Sequence, residues 1–200
     1  MLGRRILQFK LGWRWYMFTF LIVIAGTAGQ LTINKLLGNT FPGSLFLAQL
    51  GNFLPLLILG PLSEEIGWRG YALGRLQTRW NGLASSLMIG VVWALWHLPL
   101  FFMVGTLQHE LGLLFIGFLV GFMANSVCYT WLYNNTKKSL WSAILFHWLF
   151  TYATQVVSSG VIRSPLYNWL EYLPYVIMAL FVLIIRGPKR LTRLAIGSEK

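Results

Sequence analysis

Apolar residues run along this chain in six long stretches, 15–33, 44–62, 83–104, 111–133, 140–162 and 166–185. Each is close to the ~20 residues that an α-helix needs to cross a hydrocarbon core of ~30 Å. The pattern predicts an all-α, polytopic membrane protein of about six transmembrane helices. It forms a single domain over 1–200, with no linker or low-complexity tract and no room for a second soluble domain. The last stretch is the weakest, because Glu171 and Pro174 interrupt it. The first has a basic start, and the small residues Gly26 and Ala28 resemble a signal-peptide cleavage site. Apolar residues nevertheless continue through Leu31 and Ile33, so it reads as a retained span.

The connections 34–43, 105–110, 134–139 and 163–165 are short, and 63–82 is the exception. Proline cannot sit inside a helix without losing a hydrogen bond, whereas serine is a good N-cap and acids suit a first turn. Pro61, Ser63, Glu64 and Glu65 therefore predict a second helix beginning at Ser63. Ile66, Leu73, Leu76 and Trp80 recur at helical spacing and leave Arg75 and Arg79 on another face. On the fourth stretch Gly117 and Gly121 form a small-xxx-small pair, the mark of close helix packing and also a face for a homodimer.

Composition supports lipid as the solvent. The chain is 56% hydrophobic and 10% charged, against about 25% charged in a globular protein. It has no Asp, and two of its five acids, Glu64 and Glu65, are adjacent. A net charge of +11 would suggest nucleic acid in a soluble protein, but its distribution argues otherwise. Basic residues cluster at 4–14, 69–79, 137–138 and 186–200, all on one side of the six-span map, against Lys35 and Arg163 on the other. Short loops rich in Lys and Arg stay cytoplasmic, which predicts both termini inside and makes nucleic-acid binding unnecessary. The tail 186–200 also suits anionic lipid. Cys128 stands alone and cannot form an internal disulfide.

Ionisable residues inside spans are costly, about 2.5–3.5 kcal/mol for a central charge on insertion scales, so they are candidates for function. Three clusters qualify. In the first, Glu65 and Arg69 are i,i+4 and can pair on one helical face, which leaves Glu64 the freer carboxylate and the candidate general base. A capped helix start with a surface ion pair is the plain alternative. In the second, Trp93 and His97 share a face, and Pro99 puts His97 near a helix end. In the third, His147 and Thr151 are again i,i+4. Each histidine is equally well read as a satisfied core residue. Together, Glu64, His97 and His147 suit water activation or a proton pathway, and they also match zinc-ligand types. HExxH, GxSxG, P-loop and dinucleotide motifs are absent. By depth the three do not meet on simple spans. His147 lies about 10 Å and His97 about 21 Å from the cytoplasmic end at 1.5 Å per residue, while Glu64 lies at the boundary. Either the glutamate helix enters the membrane after Pro61, or the third span begins deeper than Leu83.

These residues resemble the CPBP family, the CAAX-prenyl protease and bacteriocin-processing (Abi) intramembrane proteins. Glu64-Glu65-Ile-Gly-Trp-Arg69-Gly70 matches the family's EExxxR motif. Trp93-xxx-His97 resembles its FxxxH motif with Trp for Phe. His147-xxx-Thr151 resembles its HxxxN motif with Thr for Asn. The resemblance covers about 54–154.

It implies a glutamate-dependent intramembrane endopeptidase with a cavity opening to the cytosol. By that resemblance Glu64 and His97 position and activate water, His147 and Thr151 stabilise the oxyanion, and Glu65, Arg69 and Trp93 are supports. No cofactor is expected, although a metal at Glu64, His97 and His147 fits the same residue types. The expected partners are a peptide or membrane-protein substrate and membrane lipid, and the expected location is a multi-pass position in a prokaryotic cytoplasmic membrane. Thr151, with a shorter reach than Asn, also supports a catalytically silent scaffold or bacteriocin-immunity protein that binds a membrane peptide. A small transporter or proton relay is a further alternative.

Overall fold

The computed structural model describes residues 2–110, 112, 114–161, 164–189 and 191. Arg163, Arg190, Arg193 and Lys200, which entered the charge count, lie outside the described residues, as does most of the tail expected to meet lipid.

The regular structure among the described residues is all helical, and no strand occurs among them. In chain order the elements are α1 (Leu2–Ile6), α2 (Trp13–Leu36), α3 (Ser44–Ala48), α4 (Pro55–Leu59), α5 (Pro61–Glu65), a π-helical segment (Ile66–Ala72), α6 (Leu73–Leu76), α7 (Gly82–His97), α8 (Leu107–Glu110), α9 (Phe115–Asn135), α10 (Leu140–Gly160), α11 (Pro165–Leu170) and α12 (Leu173–Arg186). Four segments are long and apolar enough to cross a membrane: Trp13–Leu36, Gly82–Phe101, Phe115–Asn135 and Pro165–Arg186. α10 matches α9 in length at 21 residues and buries much of its surface among the others.

The expected second span, 44–62, is not one helix. It breaks into α3, a 3₁₀ turn (Leu50–Asn52), α4 and the start of α5. Pro55 and Pro61 each open a new helix at its first turn, where the missing N–H costs nothing. Gly60 between them has φ −148° and ψ −69°, outside helical values. The last segment is also interrupted where Glu171 foretold, since α11 stops at Leu170 and α12 resumes at Leu173.

Polar and apolar residues are distributed inside out relative to a soluble protein. α2 buries Thr19, Thr27, Gln30 and Asn34, while Phe20, Leu21 and Ile24 face outward. Exposed apolar surface on this scale suits lipid, not water. Small residues bring the helices together. A side chain at Gly90 of α7 would collide with the backbone of α9, because its Cβ would fall 2.6 Å from Met123 Cα. Gly26 meets the ring of Tyr175 on α12 in the same way. Gly117 and Gly121 receive Asn168 and Tyr172, so the small-residue face of α9 is filled from within the chain.

The basic clusters converge on one end of the bundle. Arg5 donates to the carbonyls of Lys138, Gly70 and Arg69 at 3.1, 3.3 and 3.4 Å. The backbone after α12 caps the start of α7 through Gly82 N to Lys189 O, 2.7 Å, and Leu83 N to Pro188 O, 3.0 Å. Lys35 lies at the far end of α2. This asymmetry is the one from which a cytoplasmic face was read.

Candidate active site

The glutamate segment turns into the bundle instead of stopping at its edge. Helix α5 begins at Pro61, two residues earlier than the Ser63 start expected from sequence. The Ser63 hydroxyl does not cap the helix, because it donates to Gly60 O at 3.0 Å. Ile66–Ala72 then follows a π-helical path, a rare geometry that recurs at functional sites. The result brings Glu64 within hydrogen-bond reach of Trp93 and Glu65 within reach of His147, so the glutamate helix packs inside the bundle.

Glu65 is fully buried and binds twice through one oxygen. Its Oε1 accepts from Arg69 Nη1 at 3.0 Å and from His147 Nδ1 at 2.9 Å. Arg69 is equally buried. Its Nη2 donates to Ser126 Oγ at 3.2 Å, and its guanidinium lies 4.9 Å from the Trp93 ring and 4.1 Å from the Tyr129 ring. A buried guanidinium is tolerated when paired, hydrogen-bonded and stacked on aromatic faces. The surface ion pair kept open as an alternative is therefore excluded by burial.

Glu64 is the less constrained carboxylate. Its Oε2 accepts the indole N–H of Trp93 at 2.8 Å. The residue lines a cavity of about 270 Å³ together with Trp93, His97, His147 and Thr151. On its other flank Glu64 borders an open groove lined by Gly67, Trp68, Tyr71 and Trp96. It stands between this cavity and the more open groove.

His97 closes α7, as Pro99 foretold, and a 3₁₀ turn (Leu98–Phe101) follows. Its Nδ1 donates to Trp93 O at 2.9 Å, because a carbonyl can only accept. That bond leaves Nε2 with its lone pair. The His97 ring packs on Phe118 and Phe122, and Glu64 and His147 both act on it electrostatically. For His147 the Glu65 carboxylate likewise holds Nδ1, at 2.9 Å. Thr151 lies one turn beyond on α10 and lines the same cavity. The third histidine, His109, stands apart, exposed in α8 with Nδ1 donating to Phe101 O at 3.1 Å.

All four residues expected to do chemistry, Glu64, His97, His147 and Thr151, thus line one cavity, with Glu65, Arg69 and Trp93 around them. Sequence reasoning missed Ser126 and Tyr129, which hold Arg69, and the bond from Glu65 to His147. The signal for the first pair was a serine and a tyrosine three residues apart on a single apolar helix. Among the described residues no three His, Cys, Asp or Glu side chains converge closely enough to hold a metal ion.

Residues 46–153, which hold every one of these groups, match the family model for type II CAAX prenyl endopeptidases, Rce1-like. The chain belongs to the Rce1-like CAAX prenyl endopeptidase family. The CPBP resemblance read from its three motifs stands, and the protein is a multi-pass membrane protein. It is 33% identical over 130 residues to CAAX prenyl protease 2 of Methanococcus maripaludis, covering 56% of this chain and 47% of that protein. The chain therefore spans about half the length of this curated relative. Elements α1, α2, α11 and α12 of this Rce1-like protein lie outside the segment that the family model matches.

Proposed function

We propose that this protein is an intramembrane endopeptidase that hydrolyses a peptide bond at the cytosolic face of its membrane, with Glu64 as general base. One observation carries the reading: Glu64, His97, His147 and Thr151 line one cavity, with Glu64 also bordering an open groove.

Glu64, held through one oxygen by Trp93, takes a proton from a water that His97 orients through Nε2. The hydroxide attacks the scissile carbonyl. His147 donates from Nε2 to the oxyanion while Glu65 holds Nδ1, and the Thr151 hydroxyl supplies a second donor. Preorganised donors of this kind are each worth about 10²–10³ in rate. Glu64 then returns its proton to the leaving amine, so atoms and charge balance. Glu65 and Arg69 act through His147 and are positioning residues. The end gathering the basic clusters, with α1 and the end of α12, faces the cytosol.

The test is cleavage of degenerate peptides by the protein in nanodiscs, run in ¹⁸O water. New carboxyl termini carrying ¹⁸O, lost in Glu64→Gln, support hydrolysis. Unchanged libraries contradict it. Thr151 favours a second reading, a silent scaffold holding the same peptide, and that reading predicts retention of peptides without new termini.

A further inference from the structure

Arg5 carries a charge that no acid answers among the described residues. Its Nε and both Nη atoms donate to the carbonyls of Lys138, Gly70 and Arg69, and the guanidinium lies over the Tyr133 ring at 5.4 Å. The acids among the described residues are Glu64, Glu65, Glu110 and Glu171. Glu64 and Glu65 are bound at the catalytic cluster. Glu110 lies in α8, past the opposite end of α7, and Glu171 lies just before α12, at its far end from Arg186.

More cations gather around Arg5. Gln8 Nε2 donates to Thr136 O at 3.5 Å and Ser139 Oγ donates to Gln8 O at 2.9 Å. The arm that carries Arg4 and Lys10 is thereby held beside the α9–α10 turn that carries Lys137 and Lys138, and all four residues are exposed. The turn is strained. Lys137 and Lys138 have φ of 54° and 58°, left-handed backbone that glycine adopts freely and other residues do not. Two lysines in succession are thus kept where their backbone disfavours them, a mark of functional positions. Cations at the end of α9 also complement its dipole, but that role does not account for Arg4 and Lys10.

The surroundings select the anion. Leu7, Phe9 and Trp13 are exposed, Phe9 meets Trp141 edge-on at 4.9 Å, and Arg14 lies over Trp13 at 5.9 Å. Aromatic side chains beside cations mark the level of lipid headgroups. The exposed apolar residues suit acyl chains, which a free phosphate lacks. We propose that the N-terminal arm (residues 4–10) and the α9–α10 turn together form a headgroup site for an anionic glycerophospholipid. Arg4, Lys10, Lys137 and Lys138 meet its phosphate, and Arg5 ties the two segments together beneath it. This site lies outside the catalytic cavity and does not depend on the peptidase reading.

The experiment is native mass spectrometry and thermal denaturation of the full chain in neutral detergent, with phosphatidylglycerol, phosphatidylcholine or free glycerol phosphate added. Phosphatidylglycerol is retained in preference to phosphatidylcholine and raises the melting temperature, and glycerol phosphate does not raise it. Lys137→Gly combined with Lys138→Gly removes both charges and relieves the left-handed turn. Its melting temperature in detergent alone is unchanged or higher, while the preference for phosphatidylglycerol falls about 25-fold, fivefold for each cation. Arg4→Gln combined with Lys10→Gln, at exposed positions of the arm, lowers the preference to a similar extent. Equal retention of the two lipids overturns the site, as does a preference that survives both double variants. A lower melting temperature in the double glycine variant, with the preference intact, assigns the lysines to the end of α9 instead. Stabilisation by glycerol phosphate equal to that by phosphatidylglycerol overturns the lipid and assigns the cations to a soluble anion.

Discussion

His147 Nδ1 lies 2.9 Å from Glu65 Oε1, the same oxygen that receives Arg69 Nη1 at 3.0 Å. One buried carboxylate oxygen therefore ties a residue of the glutamate segment to a histidine 82 positions later. The adjacent carboxylate, Glu64, faces the cavity instead. Neighbouring glutamates are thereby divided between a buried carboxylate bonded to Arg69 and His147 and one that lines the cavity.

This division predicts different costs for two chemically equal substitutions. Glu65→Gln leaves the Arg69 charge buried without its counterion, at a cost of about 3–5 kcal/mol. Glu64→Gln keeps an oxygen for the Trp93 indole and changes stability by less than about 1 kcal/mol. Thermal denaturation in detergent measures both. Equal losses would contradict the division.

Thr151 provides a graded test of the oxyanion site. Thr151→Val removes the hydroxyl at almost constant volume and lowers kcat by about 10²–10³. Thr151→Asn restores a donor and keeps activity at or above that of wild type. Full activity in Thr151→Val would show that position 151 only lines the cavity.

Arg5 reaches the site from outside the segment that matches the family. It donates to the carbonyls of Arg69 and Gly70 and to Lys138 O, which fixes the π-helical segment carrying Arg69. Arg5→Ala is expected to lower kcat several-fold at unchanged KM, with Arg5→Lys recovering part of it, since each charge-assisted bond is worth about 1.5–3 kcal/mol. The chain has three histidines, so ¹⁵N-histidine spectra report the change directly. The His147 resonance moves in Arg5→Ala and those of His97 and His109 do not. A shift in melting temperature with no change at His147 would reduce Arg5 to a general clasp.

Packing of α7 on α9 is tested by a pair of glycines. Gly90→Ala drives a methyl into the Met123 backbone and costs about 1–3 kcal/mol as overpacking. Gly67→Ala meets nothing within 4 Å and leaves stability unchanged or slightly improved. Comparable melting temperatures for the two variants would contradict the close α7–α9 contact.

The spans at α2, α7 and α9 and the ionisable residues that line the cavity are legible because long apolar runs and isolated ionisable groups are strong local signals. The break of 44–62 was not read, because mean apolarity does not distinguish one helix from several. Its signals were Gly51, Pro55, Gly60 and Pro61, each of which interrupts a helical path. The Ser63 cap failed for the same reason, since Pro61 already satisfied the requirement for a helix start. Contacts such as Glu65 to His147 and Arg69 to Ser126 join residues 82 and 57 positions apart, and no local period encodes them.

The proposed peptidase activity turns on Glu64 making this cavity hydrolytic. The most direct test compares membrane-associated peptide termini in cells expressing wild type or Glu64→Gln at equal levels, with the chromosomal copy removed. The expected result is a set of termini that appear only with wild type and that vanish again in His97→Ala and His147→Ala. Identical termini in wild type and Glu64→Gln, with the cellular phenotype preserved in both, would contradict it.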